Sequence, residues 1–586
     1  MYAAVTGTGK NKSVYIIQSY RKENGRTSSR VYRKLGRLDA LLEEYHGDKD
    51  KMMAWANAEA AKETQACRTQ SGKIALSLSQ SACIPKEEQR SFNVGYLFLQ
   101  HLCTELRLDA ICRKIKRRHQ YNYNLSAILA DLIFARILSP ASKRSSYEFC
   151  KTLLEPPRYT LQNLYRALSV IAEESDFIQE ELYRNSNFIH PRNRTVLYYD
   201  CTNYYFEIEE AEGMKQYGKS KEHRPNPIIT MGLFMDADGI PLSFDMYPGN
   251  QNEQTTLKPL ETKIIRDFGC SRFIYCSDAG LGSKANRRFN SLNGRQYVIT
   301  HSLKKMKQED RDVALDSRHF RAPGSRNFIN ISTLDESDKQ VFNTIFYKEI
   351  PMGEDETLIV TYSPKYKAYQ RTIRQAQIQR AQKLIDSPGK KTRRNNPNDP
   401  ARFIEKTAVC PTGEIAKKYV YSLDEKRIQE ESKYDGFYAV ITNIIGNPEE
   451  ILKINRRRWE IEENFRIMKS EFEARPVFVR REDRIKAHFL TCYMSLLVYR
   501  LLEKKLNEKY TCNQILKTLS CMTITRLSKT NGYVPAYKRT ALTDELHELF
   551  GFRTDYEFMT QAAMRATIKN SKKLNSTLQL LRHLGS

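Results

Sequence analysis

The sequence lacks paired cysteines and long apolar runs. Its twelve cysteines are isolated and none forms a CxxC pair, which argues against a zinc ribbon or a thioredoxin-like redox motif and fits a reducing cytoplasm. The best apolar run, residues 489–499, is shorter than the ~18 residues that a membrane helix needs, and it contains Thr491, Cys492 and Ser495. The first residues also lack the apolar core of a secretion signal. We therefore expect a cytoplasmic protein with no membrane partner.

Acidic residues are in deficit. The chain has 95 Lys and Arg against 69 Asp and Glu, a formal net charge of +26, and such a surplus favours a polyanionic partner such as nucleic acid. The 40% of hydrophobic residues provides enough apolar surface for packed cores, which excludes wholesale disorder. A length of 586 residues suggests about four domains, or one large domain with appendages. Charge alone does not separate an enzyme from a binding protein.

The residue pattern divides the first half of the chain into three regions. Residues 1–50 contain two β-rich runs around Asn24-Gly25, a dipeptide typical of tight hairpins. Residues 51–190 are mainly helical and include the basic run 113–118, which fits a helical DNA-binding region and equally a packing domain with a charged edge. From residue 191 to 300, strands and then alternating helices and strands predict a mixed α/β sheet.

The second half interrupts this α/β pattern and then resumes it. Residues 301–434 are less regular, with strand-like pieces at 340–347 and 357–362, and they contain the basic window 371–394. We therefore interpret them as an insertion. Residues 435–484 return to the α/β pattern, with a strand at 436–443 and a long helix from about 448 to 472. Residues 485–586 are expected to form a C-terminal helical region, and its last 23 residues have five Lys or Arg and no acid.

Three acidic residues stand out by their positions. Asp200 follows the strand predicted at 195–199, Asp278 follows the strand predicted at 272–276, and Glu462 lies in the helix after the last strand. Ligands collect at strand ends in α/β sheets, and carboxylates are the ligands that hard divalent cations prefer. Each Asp alone is more often a turn former or a helix cap. The three together are compatible with a two-metal site for phosphodiester chemistry, with the ions ~4 Å apart.

The helix of Glu462 also carries two cations beside this acid. On the helical wheel Arg458, Lys469 and Glu462 share a narrow polar band next to an apolar stripe. A carboxylate between two cations fits a site that holds metal and phosphate together. The alternative, which periodicity alone favours, is a surface salt bridge.

A resemblance to a known family decides between these readings. The pattern Asn455-x2-Arg458-x3-Glu462-x6-Lys469 resembles the Y-x2-R-x3-E-x6-K signature of cut-and-paste DDE transposases of bacterial insertion sequences, with Asn455 where the family usually has Tyr. Further blocks follow in the family's order: Asp200-x-Thr202-Asn203, Gly218-x-Ser220-Lys221-x2-Arg224-Pro225-Asn226, Gly249-Asn250-x2-Glu253, Asp278-Ala279-Gly280-Leu281, Tyr434-Asp435-Gly436-Phe437, Phe465-Arg466-x2-Lys469-Ser470 and Arg475-Pro476-Val477.

The resemblance implies an RNase H-like catalytic domain, formed by residues 191–300 and 435–484, with a β-rich insertion before the Glu-bearing helix. The gap of 184 residues between Asp278 and Glu462 (462 − 278) agrees, because it is too long for a simple connection. Asp200, Asp278 and Glu462 would be the catalytic residues and would bind two Mg²⁺ or Mn²⁺ ions. Arg458 and Lys469 would grip phosphates.

The remaining candidate DNA contacts each have a plain structural alternative. Asn455 would donate through its amide in place of the family's hydroxyl. Trp459 suits stacking on an unpaired base or, more simply, core packing. The loop with Lys219, Lys221 and Arg224 suits DNA or a solvated hairpin tip. Arg466 is carried over as a DNA contact with the block that contains it.

The function expected from the resemblance is that of a DNA transposase. The enzyme would bind the terminal inverted repeats of its element, cleave DNA and transfer the freed 3′ end to target DNA, with two protomers pairing the ends in a synaptic complex on the bacterial nucleoid. Two alternatives stay open. One is an RNase H-like metal nuclease without strand transfer, and the other is a non-catalytic DNA-binding protein descended from a transposase.

Overall fold

The computed structural model describes residues 1–8, 11–21, 27–70, 80–81, 83–353, 355–387, 399–409, 418–527 and 532–574. The chain divides by its internal contacts into two compact units, Met1–Glu88 and Gln89–Ser586. Each unit has a hydrophobic core of its own.

The first unit is a three-stranded antiparallel sheet with two helices. Val14 of the middle strand is fully buried and packs in one cluster with Met52 and Ala56 of the second helix. The Asn24-Gly25 turn expected in this unit lies outside the described residues. The boundary predicted at residue 50 stays a prediction, while the compact unit itself extends to Glu88. Its elements are β1 (Tyr2–Thr6), β2 (Ser13–Arg21), β3 (Thr27–Arg37), α1 (Leu38–Glu44) and α2 (Lys49–Gln70).

The second unit begins with helices that pack around one long apolar helix, Glu482–Lys505. The apolar run at 489–499 forms the centre of that helix and is buried throughout, so its hydrophobicity serves core packing. The elements before the main sheet are β4 (Ser91–Asn93), α3 (Tyr96–Glu105), α4 (Leu108–Lys116), α5 (Leu125–Leu138), α6 (Lys143–Cys150), α7 (Leu161–Glu173) and α8 (Ser175–Ser186).

The middle of the unit alternates strands and helices. In chain order they are β5 (Val196–Tyr205), β6 (Ile228–Met235), β7 (Pro241–Pro248), α9 (Glu253–Phe268), β8 (Ile274–Ser277), α10 (Lys284–Phe289), β9 (Gln296–His301), α11 (Gln308–Leu315), α12 (Lys339–Asn343), β10 (Phe346–Pro351), β11 (Thr357–Tyr362), α13 (Pro364–Asp386), β12 (Ile404–Val409), β13 (Lys418–Leu423), α14 (Glu425–Ser432), β14 (Phe437–Thr442), α15 (Pro448–Arg456) and α16 (Trp459–Arg466).

Eight of these strands form one mixed sheet in the order β10-β11-β14-β9-β8-β5-β6-β7. β5, β6 and β7 are consecutive antiparallel strands. β8 runs parallel to β5, and β9 runs parallel to β8. β14, β11 and β10 then continue the sheet in antiparallel pairs. The mixed α/β sheet predicted from the sequence is therefore confirmed.

The stretch expected as an insertion, 301–434, contributes β10 and β11 to this same sheet. The strand-like pattern at 340–347 is mostly a different element, because Asp338 accepts hydrogen bonds from the N–H groups of Gln340 and Val341 and so begins α12. β12 and β13 form a separate two-stranded hairpin. Residues 388–394 of the basic window lie outside the described residues.

The region expected to be helical, 485–586, also contains strands. The β-branched run Thr523-Ile524-Thr525 favours an extended backbone, and it pairs antiparallel with β4 from the start of the unit. These strands form a four-stranded sheet in the order β17-β16-β15-β4. The elements are α17 (Glu482–Lys505), α18 (Cys512–Cys521), β15 (Thr523–Leu527), β16 (Gly532–Pro535), α19 (Ala541–Phe550), β17 (Met559–Thr560) and α20 (Gln561–Ser571).

Among the described residues, no single helix is long and apolar enough to cross a membrane. One bent pair, α5 with α6, passes the test of length and composition only when the two are taken together, and the helices meet at 98°.

A buried ion pair anchors the β6–β7 hairpin to the helix before the sheet. Arg192 and Asp236 have no exposed side-chain surface, and Arg192 Nε lies 2.5 Å from Asp236 Oδ2. The other guanidinium nitrogens donate to Ser186 Oγ at 2.8 Å and to the carbonyls of Ile240 and Pro241. This arginine is saturated with acceptors, so removing the carboxylate would leave a buried charge without its counter-ion.

We predict that Asp236→Ala destabilises the folded protein by about 3–5 kcal/mol, because the uncompensated charge of Arg192 stays in the core. Thermal unfolding of the purified protein measures the effect as a large fall in midpoint. The control is Asp238→Asn on the same turn, where the carboxylate lies 3.6 Å from His190 and is partly exposed. A comparable fall in the control would show that the turn, and not the ion pair, is responsible.

Candidate active site

Two aspartates lie side by side because of the register of two parallel strands. In the β5–β8 pair, Tyr198 lies opposite Cys276. Two residues further along each strand are Asp200 and Asp278, and residues two apart in extended chain point to the same face. Asp278 keeps an extended backbone, with φ −80° and ψ 174°. The register therefore brings both carboxylates to one face at the end of β8.

The position of Asp200 differs from the sequence prediction, whereas that of Asp278 agrees with it. Asp200 lies inside β5, which continues to Tyr205, because residues 201–205 remain paired with β6. It is the only residue of this ten-residue strand that is not buried. Asp278 directly follows β8, and its Oδ1 accepts the N–H of Gly280 at 3.0 Å.

The surroundings of Asp200 disfavour its ionised form. Burial raises the pKa of this carboxyl to about 6, and the nearby charge of Asp278 adds to the rise. Lys221 and Arg458 act in the opposite direction, as does the N–H that Cys201 donates to Asp200 Oδ1 at 2.7 Å. Two adjacent carboxyl groups, one of them with a raised pKa, are a donor set that suits a hard divalent cation.

Glu462 lies in α16 and pairs with Arg458. Its Oε1 is 2.9 Å from Arg458 Nη1, and its side chain is 57% exposed. Among the described residues, one group of three acidic, His or Cys side chains has ligand atoms within 4.8 Å of one another, and it is Asp544, His547 and Asp555. Glu462 therefore does not converge with Asp200 and Asp278 in this structure.

The acidic group near the C terminus already has cationic partners. Arg553 Nη2 lies 2.9 Å from Asp544 and 2.7 Å from Asp555, and Arg539 Nε lies 2.6 Å from Asp544. These two arginines neutralise the carboxylates, so this cluster is an ion-pair network.

Arg458 connects the three predicted catalytic carboxylates electrostatically. Burial lowers the pKa of its guanidinium, but the charges of Glu462, Asp200 and Asp278 outweigh burial and leave it above the ordinary value. The side chain is only 21% exposed. Arg458 is thus a half-buried cation that pairs with Glu462 and lies close enough to the two aspartates for their charges to act on it.

The long helix predicted at 448–472 is divided into three parts. α15 ends at Arg456, α16 begins at Trp459, and Ile467–Glu471 form a π-helical segment, a feature frequent at functional sites. The apolar stripe predicted beside the polar band is confirmed, because all four of its residues are buried: Ile461, Phe465, Met468 and Phe472. Packing of this stripe fixes the side of the helix on which Arg458 and Lys469 lie.

Two lysines accompany Arg458 around Asp200. Lys221 donates to the carbonyl of Cys201 and lies 3.3 Å from Glu253. Burial lowers the pKa of Lys221, but Asp200 and Glu253 outweigh burial and raise it above the ordinary value. Burial, followed by the charge of Lys221, lowers the pKa of Lys469 to about 8. The lysines therefore carry their charges in a confined space beside a carboxylate.

Asn455 faces the interior. The residue is 7% exposed, and its Nδ2 donates to the hydroxyl of Tyr438 at 2.9 Å. Thr300 Oγ1 lies 2.6 Å from that hydroxyl and donates to Asn455 Oδ1 at 3.4 Å. The amide thus joins α15 to β9 and β14 just before Arg458. Sequence reasoning missed Tyr438, and the only available signal was the departure from Tyr at position 455.

The other predicted DNA contacts are distributed around this centre. Trp459 is 60% exposed, so it does not pack in the core. Arg466 pairs with Glu463 at 2.7 Å and with Glu471 at 2.9 Å. Arg224 stacks on the ring of Tyr205 at 4.2 Å. Their contacts with DNA stay predictions, as does the predicted contact of Lys219 with DNA.

Backbone contacts explain two glycines of the motif blocks. A Cβ on Gly218 would lie 1.9 Å from the carbonyl oxygen of Gly249, and a Cβ on Gly249 would lie 2.1 Å from that of Ile228. Any side chain at either position would push apart the two backbone segments that meet there. The glycines therefore close the base of the basic loop against the end of β7.

Comparison with known families identifies the chain. It matches the transposase DDE domain family over residues 205–498, which is 294 of 586 residues, and it belongs to this family. The matched segment includes Asp278, Arg458, Glu462 and Lys469 and begins just after Asp200. No curated protein matches the chain.

Similar solved structures are distant. A piggyBac transposase synaptic complex with hairpin DNA is 10% identical, with 85% of this chain and 88% of that one covered and a TM-score of 0.34. A Mos1 mariner paired-end complex with Mn is 13% identical, with 44% and 71% covered and a TM-score of 0.14. Scores this low do not align one site with another.

We predict that Asp200→Asn stabilises the metal-free protein at neutral pH. Between about pH 4 and pH 6 the folded state retains a proton that the unfolded state has lost, so the contribution of Asp200 to stability falls as pH rises through this window. In EDTA at pH 7.5, the free energy of unfolding of the variant should exceed that of the wild type by about 2 kcal/mol, a figure reduced to allow for partial solvent access. The difference should shrink as the pH falls towards 4. Thermal midpoints across this range measure it.

The matched control is Asp245→Asn. Asp245 is half-buried in β7 and accepts the N–H of the next residue at 2.8 Å, as Asp200 does. An equal, equally pH-dependent gain in this control would mean that the effect does not come from the pair of aspartates.

Proposed function

We propose that this chain is a cut-and-paste DNA transposase that binds the terminal inverted repeats of a bacterial insertion sequence, cleaves DNA and transfers the strand to target DNA. The observation that carries the proposal is the strand register that sets Asp200 beside Asp278, with Arg458, the partner of Glu462, close enough for its charge to interact with both aspartates. The chain belongs to a family of DDE-domain transposases. Paired carboxylates suit phosphodiester chemistry better than they suit a purely structural or binding role.

The order of β5 to β9 supports an RNase H-like core for this enzyme. Three antiparallel strands are followed by two that run parallel to the first, in the spatial order β7-β6-β5-β8-β9. The strands β14, β11 and β10 extend this core, and α15 and α16 follow β14 directly. We infer that the segment between β9 and β14 is the insertion of the catalytic domain.

Asp200, Asp278 and Glu462 would hold two Mg²⁺ or Mn²⁺ ions. The two adjacent aspartates fit this role, because their mutual repulsion and the raised pKa of Asp200 are relieved by a divalent cation. When bound, such ions supply activation of water and stabilisation of the leaving oxygen. Glu462 has to leave Arg458 before its carboxylate can join the aspartates.

Arg458 and Lys469 would bind phosphate oxygens of the cleaved strand. A phosphate on Arg458 competes with Glu462 for the guanidinium, so binding of DNA would free Glu462 for the aspartates. This exchange gives the Arg458–Glu462 pair a function, where an isolated surface pair would contribute little.

Duplex DNA, as element ends and as target, would be the partner of a homodimer, in the cytoplasm on the nucleoid. Basic segments outside the site suit sequence-independent contacts with phosphates. Within 113–118, Lys114 pairs with Glu181 at 2.6 Å and Arg118 with Glu174 at 2.5 Å. Arg113 pairs with Asp109 at 2.9 Å, and Arg374 of the second basic window pairs with Asp435. Lys116 and Arg117, together with Arg371, Arg380 and Lys383, are therefore better candidates for phosphate contacts.

We predict that Asp200→Asn, Asp278→Asn and Glu462→Gln each reduce Mn²⁺-dependent nicking of supercoiled DNA by on the order of a thousandfold, because each removes a charge that the reaction needs. Gel mobility shifts with duplex DNA should show binding within about twofold of the wild type for the two aspartate variants. Glu462→Gln should bind DNA at least as tightly as the wild type, because the carboxylate that competes for Arg458 is gone. The control is Glu463→Gln, which neutralises the neighbouring acid paired with Arg466. Full nicking by any of the three variants would contradict the assignment of that residue.

We predict that the wild-type protein joins precleaved DNA ends into a plasmid. The ends would be duplexes copied from the DNA on both sides of the coding sequence, each with a free 3′-hydroxyl, and sequencing of the products would locate the junctions. Nicking without joining would favour the metal nuclease, and binding without nicking would favour the non-catalytic DNA-binding protein. Asp200→Asn serves as the control for joining by contaminants.

A further inference from the structure

One acid lies among the cations of the basic loop between β5 and β6. Glu222 is the only acidic residue within 219–224. Its Oε1 lies 3.3 Å from Lys469 Nζ and contacts Arg475 Nη1. Both cations follow α16, one in the π-helical segment and the other just after it. A single carboxylate thus neutralises two cations from a distant part of the chain.

The backbone on both sides of Glu222 is held in place. Asn203 of β5 accepts the N–H of Lys221 at 3.1 Å and donates to the carbonyl of Lys219 at 3.1 Å. Ser220 Oγ accepts the N–H groups of Glu222 and Arg224, each at 3.2 Å. The loop is therefore built to carry Glu222 to this place, and only its side chain has to move for the carboxylate to leave.

The side chains of Glu222, Lys469 and Arg475 are half-buried, so their ion pairs are neither fully exposed at the surface nor enclosed in the core. Side-chain exposure is 22% for Glu222, 14% for Lys469 and 25% for Arg475. A strand of DNA can reach such a position, whereas a fully buried pair would be closed to it. A guanidinium with an ammonium beside it is also a favourable receptor for a phosphate group, which offers more acceptor oxygens than a carboxylate.

Lys469 also lies near the aspartate pair. Lys469 is close enough to Asp200 and Lys221 for their charges to affect it, and Lys221 itself lies against Cys201 and Glu253. A phosphate bound by Lys469 and Arg475 is therefore a near neighbour of the aspartate pair.

We propose that Lys469 and Arg475 form a phosphate-binding site for DNA and that Glu222 occupies this site in the DNA-free protein until a phosphate displaces it. The proposal rests on the proposed function and adds to it a second cation, Arg475, and an internal competitor. Replacement of one anion by another keeps the two cations neutralised in both states, which is how Glu222 holds them in position before DNA arrives.

The test is binding of a fluorescent mixed-sequence duplex at fixed ionic strength. Glu222→Gln should bind about fivefold more tightly than the wild type, because the competing charge is gone while the shape of the side chain is kept. Arg475→Gln should bind less tightly. In the double variant Glu222→Gln/Arg475→Gln, the gain from the first substitution should be clearly smaller, because one of the two cations that Glu222 neutralises is absent.

Glu212→Gln is the matched control. Glu212 lies in the same β5–β6 connection and pairs with Lys215 at 2.8 Å, but its side chain is 81% exposed. It reports the effect of removing one negative charge from this connection. Glu222→Asp, which keeps the charge and shortens the side chain, should give a smaller gain than Glu222→Gln, and it serves if the latter does not fold.

Three results would overturn the proposal: unchanged or weaker binding by Glu222→Gln, an equal gain in Glu212→Gln, or a gain that is undiminished without Arg475. Each would make Glu222 an ordinary structural partner of the two cations. Failure of the proposed function looks different, because the wild-type protein would then fail to nick DNA with Mn²⁺ or to join DNA ends, whatever its affinity for the duplex.

Discussion

The parallel register between β5 and β8 is the constraint on which the site depends. A slip of one residue would send one aspartate to the opposite face of the sheet. Such a slip is resisted because nine of the ten residues of β5 are buried, so the packing of apolar side chains holds two like charges together. The cations Lys221 and Arg458 partly offset the resulting repulsion. The two carboxylates can therefore stay next to each other, although one acid alone would be easier to accommodate.

The charged residues around the two aspartates form ion pairs whose acid could be replaced by another anion. Arg458 holds Glu462, Lys469 holds Glu222, and Lys221 holds Glu253. A chain with a net charge of +26 therefore presents few bare cations at its centre, and its surplus is left to the periphery. Entry of a polyanion at the centre replaces internal acids, whereas at the periphery it replaces only counter-ions.

Local patterns in the sequence predicted what depends on local structure. Asp278 after β8, the buried stripe from Ile461 to Phe472 and the mixed sheet all follow from periodicity and turn chemistry. The position of Asp200 inside β5 does not, because it depends on pairing with β6. No Pro or Gly in the sequence indicates the break before α16. Trp459 is exposed at the start of the helix that follows this break. Glu222 could not be singled out, since its cations lie about 250 residues away in the chain.

The pairing of β4 with β15 has a consequence for how the protein is made. Asn93 lies opposite Thr523, so the first strand of the second unit waits for a partner that is synthesised 430 residues later (523 − 93). Contacts of such separation form late and slowly. A nascent chain therefore leaves the ribosome with this edge open and can close it only after β15 has been made. A chain that ends before residue 523 keeps β4 unpaired, and an unpaired strand edge is open to pairing with other chains.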